Sequence, residues 1–333
     1  MTEILKAGKN SIAKAADIIK AGGIVAFPTE TVYGLGANAF DETAVKKIFQ
    51  AKGRPADNPL IVHIADIGGL AGAAAEIPDK VKRLIETLGS APLTYIVKKS
   101  KRIPDTVTAG LDTVAVRIPA HPAALALIKA CGLPVAAPSA NASGRPSPTS
   151  AAHVYADLNG KIPLILDGGE CRFGVESTVV DFTPNIPLIL RTGGFSKEEL
   201  ERLLQCETRL YKKPENAPAR SPGMKYRHYA PRCKIEVVTD YKNVAESLKK
   251  AYDNHVQKGD EPAIICQDTY RPDLGGRVAV FLGRTPEDAA KALFRVLREN
   301  EDKHGVLICH TLPDEGIGRA FNDRLLRAAS KEQ

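Results

Sequence analysis

Long apolar runs are missing from this 333-residue chain. None approaches the ~20 residues that a helix needs to cross a bilayer, so an integral membrane protein is not expected. The N-terminal stretch MTEILKAGKNSIAKAADIIKAGG also lacks the apolar centre of a signal peptide and reads as an amphipathic helix. Close cysteine pairs are missing as well. The six cysteines (131, 171, 206, 233, 266 and 309) never form CxxC, and none of the seven histidines sits in HExxH, which argues against a zinc ribbon or a zincin site. Such scattered thiols fit small buried hydrophobes in a reducing, cytoplasmic compartment. The phosphate-binding fingerprint GxxxxGK[ST] is absent, and GLGANA at 34–39 lacks the third glycine of a dinucleotide turn. A nucleotide would have to be held by another route.

With 44% hydrophobic and 26% charged residues, the chain has an ordinary globular composition, and its length suggests two domains. The net charge of +7 is local. Residues 209–234 carry eight cations against Glu215 alone, which leaves the rest of the chain neutral. A cationic segment suits an anionic partner, a nucleotide or RNA; as a plain linker its charges would merely keep it extended.

Apolar runs at 24–27, 60–64, 93–97, 114–118, 163–166, 178–182 and 187–191 have strand length and composition. Helical patterns lie between them. Ser11 can cap one that Gly22 and Gly23 end, and Asp41 can cap another with Val45, Ile48 and Phe49 on one face. Others fall near 78–88, 121–131, 149–157 and 196–205. The alternation predicts an α/β domain over 1–208, with a twisted mixed sheet flanked by helices. Over 209–233, Pro214, Pro218, Pro222, Gly223 and Pro231 deny regular structure, while the cluster KYRHY argues for function. Beyond it, strands at 235–238, 263–266, 278–282 and 306–309 alternate with helices near 241–257, 285–303 and 317–329. That is a small Rossmann-like parallel α/β domain over 234–333.

Four segments carry chemistry. In PTETVYGLGANA (28–39), small hydroxyls beside glycines let a backbone approach a ligand, or simply make a tight turn. In AKGRPADNPLIVHI (51–64), Lys52 and Arg54 sit on a Gly/Pro-broken loop, where they suit a triphosphate or a helix C-terminus. Asn58, between Asp57 and Pro59, resembles a positioned hydrogen-bonding group, whereas His63 in its apolar run is by itself an ordinary core histidine. In PVAAPSANASGRPSPT (134–149), a strand runs into a loop with Ser139, Asn141, Ser143, Arg145 and Ser147, a lining suited to an anion and a ribose. FGVESTVVDF and LRTGG add Glu176, Ser177, Thr178 and Arg191 at strand ends.

In this order, PTETVYGLG, KGRP, SAN, ESTVVD and RTGG resemble the YrdC-like domain of threonylcarbamoyl-AMP synthases. SPGMKYRHYAP at 221–231, followed by a small α/β domain, resembles the linker of the long two-domain form. The resemblance covers essentially the whole chain. It implies that L-threonine, bicarbonate and ATP give L-threonylcarbamoyl-adenylate and pyrophosphate, with no membrane involved. A separate threonylcarbamoyl transferase complex would then modify an adenosine of tRNA, with at most a weak direct contact between this chain and tRNA. By the same likeness, Lys52, Arg54, Ser139 and Asn141 form a KxR…SxN tetrad at the ATP site. Asn58, Ser147 and Arg191 would be further nucleotide contacts, and Thr31, His63, Arg117 and Ser177 would surround threonine, with Arg117 on its carboxylate. Arg227, His228 and Tyr229 would belong to a lid over the pocket. Mg²⁺ would be carried mainly by phosphates and water.

The residues alone leave two other readings. A basic module would bind tRNA or double-stranded RNA without catalysis, for which a neutral body outside the linker is a poor footprint. A carbamoyl transferase using carbamoyl phosphate would release orthophosphate instead of pyrophosphate.

Overall fold

The computed structural model describes residues 1–211, 229–240 and 242–330. Along the chain come β1 (Glu3–Lys6), α1 (Lys9–Lys20), β2 (Val25–Phe27), β3 (Gly34–Asn38), α2 (Glu42–Lys52), β4 (Ile61–His63), α3 (Leu70–Ala73) and α4 (Asp79–Leu88). Next are β5 (Leu93–Lys98), α5 (Asp105–Thr108), β6 (Thr113–Arg117), α6 (Pro122–Cys131), β7 (Val135–Ala137), α7 (Ala151–Leu158) and β8 (Leu164–Asp167). The first unit ends with β9 (Thr178–Asp181), β10 (Leu188–Arg191), α8 (Lys197–Leu204) and β11 (Arg209–Leu210).

These strands form one mixed sheet in the order β1-β8-β2-β3-β7-β4-β6-β5-β9-β10-β11. Its strands are short and nearly all buried, with β2, β4 and β7 buried at every position. Such runs are apolar throughout because helices cover both faces. The larger core packs Ile48, Leu60, Val62, Leu93 and Val116 on one side, and a second holds Ile19, Phe27, Leu127 and Leu164.

Three local expectations change. The N-terminal stretch opens with β1, paired in parallel with β8, before any helix begins. Its four residues leave Glu3 and Ile4 exposed, so they show no strand alternation and merge with the helical pattern that follows. The first helix starts at Lys9, and Ser11 lies one turn inside it, where its hydroxyl accepts from the Gly8 amide at 2.9 Å. Asp41 does cap α2, accepting from the Ala44 amide at 3.0 Å. GLGAN forms β3, and Gly36 is there for close packing: a Cβ would lie 2.6 Å from Val135 and 2.8 Å from Phe27.

The second unit holds β12 (Lys234–Val238), α9 (Val244–Gln257), β13 (Pro262–Cys266), β14 (Ala279–Phe281), α10 (Pro286–Asn300), β15 (Val306–His310) and α11 (Gly316–Ala329). Its four strands are all parallel, in the order β12-β15-β13-β14. Parallel strands need crossovers, and α9, α10 and α11 cover the sheet. Thr285 and Asp288 make a capping box at the start of α10.

The two units meet through α10 and α11. Arg298 on α10 forms a fork on Asp157 of α7, at 3.1 and 2.7 Å, and also donates to the Pro146 carbonyl. Arg145 of the first unit grips Glu301 with two bonds of 2.6 and 2.5 Å. Tyr229 stacks on Phe294 of α10 with 5.1 Å between ring centres. Phe294 is fully buried, so Phe294→Ala is expected to cost about 3–5 kcal/mol through the cavity it leaves. Urea unfolding measures it, and a curve matching wild type would contradict the place of Phe294 in the joint.

Candidate active site

Strand register gathers the site. His63 on β4 stands beside Arg117 on β6 and Val135 on β7, and Thr94 on β5 faces Arg117 from the other side. Leu93 pairs with Thr178 on β9, which brings Ser177 alongside Thr94, and their hydroxyls lie 2.8 Å apart. Arg191, at the end of β10, reaches back to the Ser177 carbonyl at 2.9 Å and its hydroxyl at 3.2 Å. That approach depends on Gly193, where a Cβ would sit 2.3 Å from the Glu176–Thr178 backbone. The RTGG motif is therefore a packing device.

Above these strand ends lies a cleft of about 720 Å³, open mouth included. A concave cleft with convergent polar groups suits a small-molecule site. Its walls include Thr31, Lys52, Arg54, His63, Arg117, Ser139, Asn141, Ser147, Ser177, Arg191 and Tyr229. The structure thus brings together in one cavity all but four of the residues singled out from sequence; Thr178 is one exception, buried on β9 with its hydroxyl donating to the Phe195 carbonyl. Asn58 approaches from behind: its carbonyl accepts from Arg54 at 3.2 Å, while its fully buried amide lies off the cavity wall. Arg227 and His228 lie outside the described residues.

Lys52, at the last turn of α2, is buried and donates to the Ser139 carbonyl at 2.6 Å and to the Asn141 carbonyl. Burial, then the neighbouring Arg54, hold its ammonium well below the usual lysine range. The Ser139 hydroxyl meets the Asn141 side-chain oxygen at 2.5 Å, and the Asn141 amide donates to the carbonyls of Ala142 and Arg145 at 2.8 and 3.0 Å. Thr31 meets the Thr29 hydroxyl at 2.9 Å. Tyr229 has φ of 68°, a left-handed conformation rare for an aromatic residue. Burial, then Glu176, push its phenol up to about 12.

Among the described residues, five cations line the cleft, Lys52, Arg54, Arg117, Arg145 and Arg191, against the single carboxylate of Glu176. Arg117 and Arg145 carry partners beyond the wall. Arg117 pairs with buried Glu30 at 2.6 Å, and Arg145 with Glu301. Glu176 is held by Ser147 at 2.6 Å and by Arg324 of α11 at 2.7 Å. Burial alone would raise its carboxyl, but Arg324, Arg191 and Ser147 outweigh that and bring it down to about 2. Roles for Thr94 and Arg324 had no signal in the sequence, and Glu30 stood out only as part of PTETVYGLG: the partner of each lies far away along the chain.

Fold and cleft define a two-domain α/β protein of the YrdC-like class, with a cation-rich polar pocket at the strand ends. Residues 17–193 match a family described as "Telomere recombination", and residues 195–330 match "Threonylcarbamoyl-AMP synthase, C-terminal domain". The chain is 46% identical over 321 residues to the threonylcarbamoyl-AMP synthase of Pyrococcus abyssi, covering 95% of this chain and 93% of that one. It is 43% identical over 337 residues to that of Bacillus subtilis, covering 99% and 96%. Among solved structures it is similar to P. abyssi Sua5 complexed with L-threonine, with a TM-score of 0.92 at 44% identity and 98% of both chains covered. The chain belongs to the threonylcarbamoyl-AMP synthase family, in its long two-domain form.

The site also sets a pH dependence. Burial, then Arg117, push the His63 imidazole down to about 3, so it stays neutral when folded. The unfolded chain takes up that proton below about pH 6.5, and stability therefore falls as pH drops from there toward 3. For His63 the slope reaches ~1.4 kcal/mol per pH unit, while the carboxylate of Glu176 contributes only at lower pH. Unfolding free energies between about pH 4.5 and 7.5 check this. The slope is expected to lessen in His63→Gln, and an unchanged slope would count against a buried neutral imidazole.

Proposed function

We infer that Lys52, Arg54, Ser139 and Asn141 hold ATP in this cleft while Thr31, His63, Arg117 and Ser177 receive threonine. The reaction is that of the family: L-threonine, bicarbonate and ATP give L-threonylcarbamoyl-adenylate, pyrophosphate and water. The observation that carries the reading is likeness over nearly the full length of both chains, together with one cavity lined by these residues. Chemically, the threonine amine and bicarbonate form a carbamate with loss of water. A carbamate oxygen then attacks the α-phosphorus as pyrophosphate leaves.

The protein's task is to hold three substrates together and to stabilise phosphate charge. Lys52 offers a point charge and Arg54 a planar fork for phosphate oxygens. Asn58, Ser147 and Arg191 are proposed as further nucleotide contacts. Arg117 would share its guanidinium between Glu30 and the threonine carboxylate, which supports a tightly fixed amino-acid position. The neutral imidazole of His63, packed edge-on against Phe27 at 5.9 Å, suits the uncharged part of threonine. Both oxygens of Glu176 are engaged, so Mg²⁺ would take its ligands from phosphates and water.

Residues 209–233 are proposed as linker and lid between a catalytic domain over 1–208 and a small domain over 234–333. Tyr229 on the cleft wall supports this, with Arg227 and His228 beside it in sequence. Among the described residues no helix is long and apolar enough to cross a membrane. We place the reaction in the cytoplasm, where a threonylcarbamoyl transferase complex would consume the adenylate, with at most weak contact between this chain and tRNA.

Incubation with ATP, bicarbonate and threonine is expected to release pyrophosphate, and release independent of threonine would refute the reading. Lys52→Ala and Arg54→Ala should each lower turnover by roughly 10²-fold, as for loss of an electrostatic stabiliser. Near-normal turnover in both would remove them from the ATP site. Among amino acids, serine should be a weak substrate, since one methyl group is worth ~1–3 kcal/mol, and valine weaker still, since it leaves polar groups unpaired. Comparing kcat/KM decides, and valine ahead of serine would contradict a pocket that reads the hydroxyl.

A further inference from the structure

The C-terminal domain reaches the cleft through a side chain that lies behind its wall. Arg324, on α11, is fully buried; its Nε donates to Glu176 at 2.7 Å and a terminal nitrogen donates to the Thr192 carbonyl at 2.8 Å. Its other terminal nitrogen is held by Asp323 at 2.6 Å, which Arg327 in turn anchors at 2.9 Å. Glu176 thus cannot swing. Its second oxygen accepts the Ser147 hydroxyl at 2.6 Å, and both residues line the cleft. A serine hydroxyl has one proton and two lone pairs. With the proton committed to Glu176, Ser147 turns lone pairs toward the cavity and suits a donor, such as a ribose hydroxyl or an adenine amino group. A protonated Glu176 would itself donate, and the hydroxyl would reverse.

We propose that Arg324 is a positioning residue for adenylate synthesis: it orients Glu176, which keeps Ser147 an acceptor toward the nucleotide. The C-terminal domain is thereby part of the active-site frame. This rests on the family reaction given above. Among the described residues, the charged and titratable groups facing Glu176 are Arg324 from α11, Arg191 from β10 and Tyr229 from the segment between the domains, with Asp323 behind Arg324. Burial works against the ionised carboxyl, and Arg324 is the first of the groups that outweigh it. Removing this arginine moves the ionisation of Glu176 upward, toward the range in which activity is measured.

The test uses the full chain with Arg324→Met, Arg324→Lys and Glu176→Gln. Threonine-dependent pyrophosphate release is followed from about pH 5 to 9, with melting temperatures alongside. Arg324→Met should lose roughly 10- to 100-fold, the scale of losing a group that orients a ligand-binding side chain. Its loss relative to wild type should deepen toward low pH, an added acid limb beyond the fall that protonation of bicarbonate and of the threonine amine imposes on every variant, and Arg324→Lys should lack it. Glu176→Gln should be slow without that added limb. A profile for Arg324→Met parallel to wild type at every pH, with only a lower melting temperature, would overturn the proposal. If Arg324→Met does not fold, Glu176→Gln decides, and wild-type turnover in that isosteric variant overturns it equally. Wild-type protein without threonine-dependent release overturns the family reaction and this inference together; an active wild type with parallel profiles overturns the inference alone.

Discussion

The loop over 139–149 has no regular structure, so its backbone carbonyls must find partners elsewhere. Pro146 and Pro148 deny it a ladder, yet it carries Ser139, Asn141 and Ser147 to the cleft. Cations supply much of what the ladder would have. Lys52 takes the carbonyls of Ser139 and Asn141, Arg298 takes that of Pro146, and the Asn141 amide takes those of Ala142 and Arg145. The Ala230 amide closes the set on the Gly144 carbonyl at 2.9 Å. Of these groups Lys52 also lines the cleft, so it shapes the loop and contributes to the charge of the site. Another of them, Arg298, comes from the second domain.

This arrangement explains a basic cleft in a chain whose charge, outside one segment, sums to zero. Arg117 and Arg145 spend part of their charge on Glu30 and Glu301, which lie off the cleft wall. Lys52 rests on the carbonyls of Ser139 and Asn141, and burial weakens its hold on a proton. A phosphate bound in the cleft would favour the protonated form, because an anion beside a buried ammonium stabilises its charge.

Much of the first sheet was legible, because strands buried on both faces read as continuous apolar runs such as LIVHI and VAVRI. The exceptions have physical reasons. Glu3–Lys6 is an exposed edge strand whose pattern merges with the following helix, and GLGAN looks like a turn because its glycines make room for Phe27 and Val135. The cleft residues were legible as motifs, since hydroxyl, amide and guanidinium groups cluster at strand ends. Their supports were not. Arg298 and Arg324 belong to amphipathic helices, with Glu301 just past the end of one, whose charged residues resemble any solvated face, and only the docking of two domains turns that face inward.

A buried ion pair is weak evidence for stability, because apolar residues of the same volume often serve as well or better. The pairs between these domains therefore call for another explanation than cohesion, and Phe294 stacked on Tyr229 already supplies apolar contact at the joint. What an ion pair adds is direction. An arginine fork on a carboxylate fixes both groups in one plane, as Arg298 does on Asp157 and Arg145 on Glu301. Such directional contacts lie beside a reaction that depends on aligning a carbamate oxygen with an α-phosphorus. A misplacement of ~1 Å there can cost about 10²-fold in rate. On that scale, a second domain that holds the loop and Glu176 in register has a reason to be present even though the cleft lies almost wholly in the first.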